Sequence, residues 1–113
     1  MAFFSFLFGT QVQNTNIKIL ETQEFKKQIT GNSVQLIDVR TAIEFKSGHI
    51  KTAKNIDFFS SKFNSQLEKL NKEKPIYVYC RSGNRSNKAA NQLAKMGFTE
   101  IYDLKGGFLN WKE

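Results

Sequence analysis

The sequence predicts an α/β domain built on a largely parallel sheet of about five strands, with helices flanking both faces. Two observations carry this. Short β-branched and apolar runs alternate along the chain with segments of helical periodicity, and brief connections punctuated by glycine separate them. Such alternation places crossover helices between parallel strands. At 113 residues the chain has the length of one domain, enough to bury roughly two-thirds of its unfolded surface.

Each element has its own signal. Ile17 to Leu20 reads as a short apolar strand, and Thr22 can cap a helix running to about Ile29, stopped by Gly31 and Asn32. Val34 to Val39 is β-branched and mostly apolar, as a buried strand requires. Thr41 heads a capping box with Glu44, and Gly48 ends that short helix. Asn55 to Phe58 forms another brief strand; after Ser60, the residues Phe63, Leu67 and Leu70 share one helical face. Pro75 opens the strand Ile76 to Tyr79, which delivers the chain to Cys80 and the loop Arg81 to Asn84. A helix from about Arg85 places Ala89, Leu93 and Met96 on one face before Gly97 stops it. Ile101 to Leu104 is a strand, Gly106-Gly107 a turn, and Phe108 to Trp111 a last helical turn.

Composition excludes several classes. Forty per cent of residues are apolar and eleven are Phe, which furnishes a core, while one Pro and seven Gly argue against a low-complexity chain. The net charge is +7, yet the lysines are scattered and no basic run exceeds Lys26-Lys27. Without a basic stripe interleaved with aromatics, no nucleic-acid partner is expected. The apolar residues among Met1 to Gly9 lack a positively charged leader and a cleavage site, and are too few to span a bilayer. That segment is expected to pack or fray rather than anchor in a membrane. One cysteine cannot form an internal disulfide or a cysteine-rich metal site. No metal or other cofactor is expected, and the expected location is cytoplasmic.

The surroundings of that cysteine point to chemistry. Cys80 stands where a strand meets a helix, the place where open parallel sheets carry their working sites. An ordinary thiol is mostly protonated at neutral pH. In Cys80-Arg81-Ser82-Gly83-Asn84-Arg85-Ser86, the sulfur faces a helix N-terminus, whose unpaired amides and dipole favour an anion. Gly83 permits positive φ, so loop amides can converge as an anion-binding nest. Arg81 and Arg85 add charge, and no Asp or Glu occurs from Lys74 to Thr99. A lone cysteine is otherwise most simply a small buried hydrophobe. That reading explains neither its place at the strand end nor the run without carboxylates.

At these residues the chain resembles the rhodanese-like sulfurtransferases. Cys-Arg-Ser-Gly-Asn-Arg-Ser between a strand and a helix is similar to their active-site loop. Asp38-Val39-Arg40, Glu44-Phe45 and Gly48-His49-Ile50 are similar to the family's Asp-Val-Arg, Glu-Phe and Gly-His-Ile run. Gly106-Gly107-Phe108-Leu109-Asn110-Trp111 is similar to its closing Gly-Gly-x-x-x-Trp. The match covers about residues 17 to 112, so a rhodanese-like domain is expected over 17–113, with 1–16 outside it. One stretch departs: where many members read Gly-Ala-x-Asn-Ile-Pro, this chain has Thr52-Ala53-Lys54-Asn55-Ile56-Asp57.

The resemblance implies a sulfurtransferase. Cys80 would take a sulfane sulfur from thiosulfate or a persulfide and hand it to a thiol or cyanide. The donor site would comprise Arg81, Ser82, Gly83, Asn84, Arg85 and Ser86, and a partner protein could supply or accept the sulfur. Other family roles are a persulfide carrier and a binding module without turnover. Cysteine phosphatases and arsenate reductases also hold an anion in a Cys-to-Arg loop, but with five intervening residues; here four lie between Cys80 and Arg85, a cradle better sized for a single sulfur. Arg40 and Glu44 are expected to form a structural ion pair, His49 to be structural, and Phe108 and Trp111 to be core aromatics.

Overall fold

The structure is a computed structural model that describes residues 14–111. The apolar stretch Met1 to Gly9 lies outside the described residues. The elements run β1 (Ile17–Leu20), α1 (Thr22–Ile29), β2 (Gln35–Asp38), α2 (Ala42–Lys46), β3 (Lys54–Asn55), α3 (Phe63–Leu67), β4 (Ile76–Tyr79), α4 (Asn84–Lys95) and β5 (Ile101–Leu104), then a 3₁₀ turn over Gly107–Asn110. The strands form one sheet in the order β1-β5-β4-β2-β3, and every pairing is parallel.

That order positions the site. The chain leaves β2 toward β3 on one side of the sheet and leaves β4 toward β5 on the other. The carboxyl ends of the adjacent β2 and β4 therefore border the topological switch point, where open α/β sheets form their crevice. Val39 donates to the Tyr79 carbonyl at 3.0 Å, extending that pairing to the residue before Cys80.

β4 is buried along its whole length, so its side chains feed two cores. Ile76, Val78 and Cys80 join Leu67, Ala89, Ala90, Leu93, Phe98 and Ile101 on one face; Tyr77 and Tyr79 join Phe25, Leu36, Leu104 and Trp111 on the other. Each fully buried Leu or Ile contributes about 1.5–3 kcal/mol, so the predicted α4 face of Ala89 and Leu93 holds the helix down, with Met96 partly buried beside it. The two-period alternation of β4 sends Cys80 to the α4 side.

Several element boundaries differ from expectation. α1 is capped by Glu21 without a side-chain bond, Thr22 being its first helical residue. β2 and β3 are shorter than the apolar runs that announced them, because Val39, Ile56 and Phe58 leave the regular ladder while remaining buried or partly buried. α4 begins at Asn84, one residue early, because Gly83 at φ +111° serves as its N-cap. The capping box of α2 forms as read, with Glu44 N–H bonding Thr41 Oγ1 and the Glu44 carboxylate accepting from the Thr41 amide.

Candidate active site

Cys80 leaves the end of β4 as a buried residue, 1% exposed, against the first turn of α4. The Gly83 amide donates to Cys80 Sγ at 3.1 Å. This geometry depends on Gly83, whose left-handed φ a residue with a Cβ adopts only under strain. The positive end of the 12-residue α4 faces the same atom. The loop thus presents a buried sulfur to a directed N–H and a helix dipole, an arrangement that stabilises negative charge on it.

Closing glycines hold the loop from the other side. Phe108 N–H donates to the Cys80 carbonyl at 2.8 Å and Leu109 N–H to the Arg81 carbonyl at 3.0 Å, so the first amides of the 3₁₀ turn cap the loop's own carbonyls. A Cβ on Gly107 would stand 2.5 Å from the Arg81 oxygen and 2.6 Å from the Cys80 oxygen. Only glycine permits so close a backbone approach. Gly106-Gly107 is therefore more than the turn expected: in space it is the buttress of the nucleophile loop.

The expected Arg40–Glu44 pair does not form. Arg40 instead grips Asp38, with Nε 3.1 Å from both carboxylate oxygens and Nη2 2.8 Å from Oδ2, and it donates to the Gly48 carbonyl at 2.6 Å. Its guanidinium lies 4.4 Å over the Phe108 ring, and Asn55 bonds the carbonyls of Asp38 and Arg40 at 2.9 and 2.8 Å. Burial alone would lower the Arg40 pKa, but the bond and charge of Asp38 outweigh it and hold the group above its ordinary value. The Asp-Val-Arg and Gly-His-Ile motifs therefore form a clamp between β2 and the loop after α2. Tyr79 belongs to it: its hydroxyl accepts from Ile50 N–H at 3.0 Å, and burial first, then Asp38, push the phenol well above its usual range.

Glu44 is taken by Arg85. The guanidinium donates to the two carboxylate oxygens at 2.8 and 3.1 Å, 41 residues away in sequence. Hydrogen bonds from Arg85 lead the causes that lower the Glu44 pKa to about 2, outweighing burial. Arg85 in turn is held above its ordinary value chiefly by Glu44, against burial, with smaller contributions from the charges of Glu44, Cys80 and Asp38. The run without carboxylates around Cys80 is thus local to the sequence; α2 supplies an acid to the loop in space. The Phe59 ring lies 5.8 Å from the Arg85 guanidinium.

The remaining candidates divide. Arg81, Ser82 and Asn84 are exposed on the loop, and Gly83 is half-buried. Ser86, expected at the donor site, is fully buried, and its hydroxyl points to the Gly83 carbonyl at 3.3 Å, so its side chain supports the loop from behind. His49 is exposed, stacks on Phe45 with centroids 3.6 Å apart and places Nδ1 2.8 Å from the Phe45 carbonyl. Trp111 packs in the second core and Phe108 partly so, beneath Arg40.

Sheet order, switch-point crevice and a cysteine loop buttressed by paired glycines define a rhodanese fold, and comparison agrees. The family model described as "Rhodanese-like domain" matches residues 21–113, and the chain belongs to that family. It is 40% identical to the uncharacterized protein YqhL of Bacillus subtilis (strain 168), over 97% of this chain and 85% of that one. It is 36% identical to the thiosulfate sulfurtransferase GlpE of Coxiella burnetii, over 85% of each chain. Among solved structures, the rhodanese-like domain protein of Staphylococcus aureus superposes with a TM-score of 0.74 at 32% identity, covering 85% of this chain and 92% of that one.

Proposed function

We propose that this domain is a sulfurtransferase with Cys80 as its nucleophile. The observation that carries the reading is the Gly83 amide on Cys80 Sγ at 3.1 Å, at the head of α4. The Cys80 thiolate attacks the outer sulfur of thiosulfate or of a persulfide. A new S–S bond forms to Cys80, the donor's S–S bond breaks, and sulfite or a thiolate departs with the electron pair. The acceptor, a thiol or cyanide, then attacks the outer sulfur of the Cys80 persulfide and restores the thiolate. Two covalent half-reactions give ping-pong kinetics.

Roles follow from exposure. Arg81 and the loop amides of Ser82 to Asn84 meet the anionic donor, and Arg85, oriented by Glu44, adds field at the sulfur. A cysteine buried this deeply, 1% exposed, calls for a slender donor or a protruding side chain, such as thiosulfate, a small persulfide or a partner protein's cysteine. The similarity to thiosulfate sulfurtransferases supports the same chemistry. We place the reaction in the cytoplasm, where a lone thiol stays reduced.

The test is mass measurement after incubation with thiosulfate. The protein is expected to gain one sulfur atom, and Cys80→Ser none. Uptake by the serine variant, or none by the parent with thiosulfate and with low-molecular-weight persulfides, rejects the assignment.

A further inference from the structure

Asp103 is the one described residue with a buried side-chain polar atom that has no hydrogen-bond partner. It lies on β5 with 3% of its surface exposed, and its Oδ1 has no hydrogen-bond partner. It sits on the α4 side of the sheet, paired in register with Ile19 of β1 and Val78 of β4. A cavity of about 300 Å³ joins it to Ser82, Gly83 and Asn84 of the nucleophile loop, with Asn87 and Lys105 at its wall. A buried carboxylate without full hydrogen bonding carries a large desolvation cost. Burial lifts this carboxyl to about 6, while the nearby Ser86 hydroxyl pulls the other way.

Ser86 makes the link. Its hydroxyl has one hydrogen, now directed at the Gly83 carbonyl at 3.3 Å, a long bond. In this structure Ser86 makes no hydrogen bond to Asp103, yet its hydroxyl favours the ionised form of that carboxyl, so an ionised Asp103 on the same side of the sheet would compete with the Gly83 carbonyl for the one donor. Gly83 is the residue whose amide holds Cys80 Sγ.

We propose that Asp103 is a positioning residue for the nucleophile loop, drawing the Ser86 hydroxyl away from Gly83 when ionised and releasing it when protonated. With a proton on Asp103, the carboxylic acid donates to Ser86 Oγ, and the hydroxyl hydrogen stays on the Gly83 carbonyl. When that proton leaves to solvent through the cavity, the carboxylate attracts the hydroxyl and Gly83 loses a tether. Charged neighbours do not supply an alternative cause. Ile19, Val78, Ser86 and Asn87 face Asp103 from β1, β4 and α4, and none is charged. On α4, Arg85 is bound to Glu44, and Lys88 lines a separate cavity with Phe58 and Phe63. Lys105 shares the Asp103 cavity but pairs with Glu21 at 3.2 Å. The titratable Cys80 itself lies two residues beyond Val78 on the same face of β4.

The inference rests on Cys80 being the reactive centre, but its readouts need no sulfur transfer. Across pH 5 to 8, the Asp103 carboxyl carbon and the Gly83 amide should shift in the NMR spectrum with a common midpoint near 6. Alkylation of Cys80 by iodoacetamide should carry an inflection at that midpoint, of roughly two- to tenfold, the range one hydrogen bond supplies. Asp103→Asn, whose amide donates permanently to Ser86, and Ser86→Ala should both lose that inflection. A Gly83 amide that ignores the Asp103 midpoint overturns the proposal in the unaltered protein, whether or not the variants fold. So does a folded Asp103→Asn protein that keeps the inflection. Failure of thiosulfate to load Cys80 would leave these results unchanged and bear only on the sulfurtransferase reading.

Discussion

The Glu44 carboxylate on α2 and the Arg85 guanidinium on the first turn of α4 form a two-pronged pair, 2.8 and 3.1 Å long, that ties α2 to the nucleophile loop. Two parallel N–H···O bonds fix orientation as well as charge. The Glu44 pKa, lowered to about 2, lies below its ordinary 4.5, so its stabilising effect is complete above pH 4.5 and fades as pH falls toward 2. Both side chains keep some solvent contact, 28% and 20% exposed, and screening trims the effect to about 1–2 kcal/mol. Glu44→Gln should cost that much at pH 7 and nothing near pH 2, read from urea midpoints across the range. An equal cost at both ends would mean the loss comes from the capping box instead.

Arg85→Ala should harm donor use by more than the loss of one cation. It leaves the Glu44 carboxylate unpaired beside the site where an anion must approach. The expected result is a rise of about tenfold or more in KM for thiosulfate, near 1.4 kcal/mol. Adding Glu44→Gln to Arg85→Ala should recover part of that loss, because the residual repulsion disappears. A double variant no better than the single one would remove Glu44 from the account.

Gly107 offers a steric test of the buttress. A Cβ there would stand 2.5–2.6 Å from backbone atoms of Cys80 and Arg81, which cannot swing aside like a side-chain tip, and φ is +63°. Gly107→Ala should destabilise by about 2–4 kcal/mol and abolish most activity. Gly31→Ala is the control: its φ is +75° but nothing lies within 4 Å, so about 1 kcal/mol is expected with activity kept. Denaturant melts and thiosulfate turnover of the two variants decide the matter.

The nucleophile loop was legible because it is contiguous. Strand, cysteine, glycine and helix follow one another within a few residues, and each has a local signal, so the place of Cys80 and the positive φ of Gly83 could be read directly. Parallel topology was legible for the same reason, from the alternation of strand and helix. What escaped was long-range pairing. Glu44 meets Arg85 across 41 residues and the 3₁₀ turn after β5 meets Cys80, and no local periodicity encodes either contact. Arg40 chose Asp38, two residues back, over Glu44, because a carboxylate at the end of β2 reaches the same buried site without unwinding the α2 cap. Asp103 gave no signal at all, being one acid in an apolar strand.

Asp103 should make the protein less stable at neutral pH than it need be. Its carboxyl, raised from 3.8 to about 6, stays protonated in the folded chain where the unfolded chain ionises. Stability on this account is full below about pH 4, falls as pH rises to about 6, and stays reduced above. Two pKa units correspond to about 3 kcal/mol, an upper bound for a group that can relax. Asp103→Asn should therefore stabilise by about 1–3 kcal/mol at pH 7 and by nothing at pH 4, in urea melts at both values. A cost retained in the native sequence fits a residue with a task at the loop, since working sites often carry destabilising groups.

Thr52 supplies a second, independent strain. It is the one described non-glycine residue with positive φ, at +74°, in a turn closed by Ala53 N–H on the Ile50 carbonyl at 3.0 Å. The third position of such a turn requires positive φ and favours glycine, and this is where the chain has Thr in place of the family's usual Gly. A β-branched side chain in the left-handed region costs about 1–3 kcal/mol. Glycine would relieve that cost but add freedom to the unfolded chain, about 0.4–1 kcal/mol. Thr52→Gly should therefore raise stability by about 0.5–2 kcal/mol, and Thr52→Ala, which keeps a Cβ, by less. Thermal melts that rank alanine at or above glycine would show that the Cβ is not the source of the strain. The turn then would be held by the Arg40 bond to Gly48 and the Tyr79 bond to Ile50 on its flank, whatever residue occupies position 52.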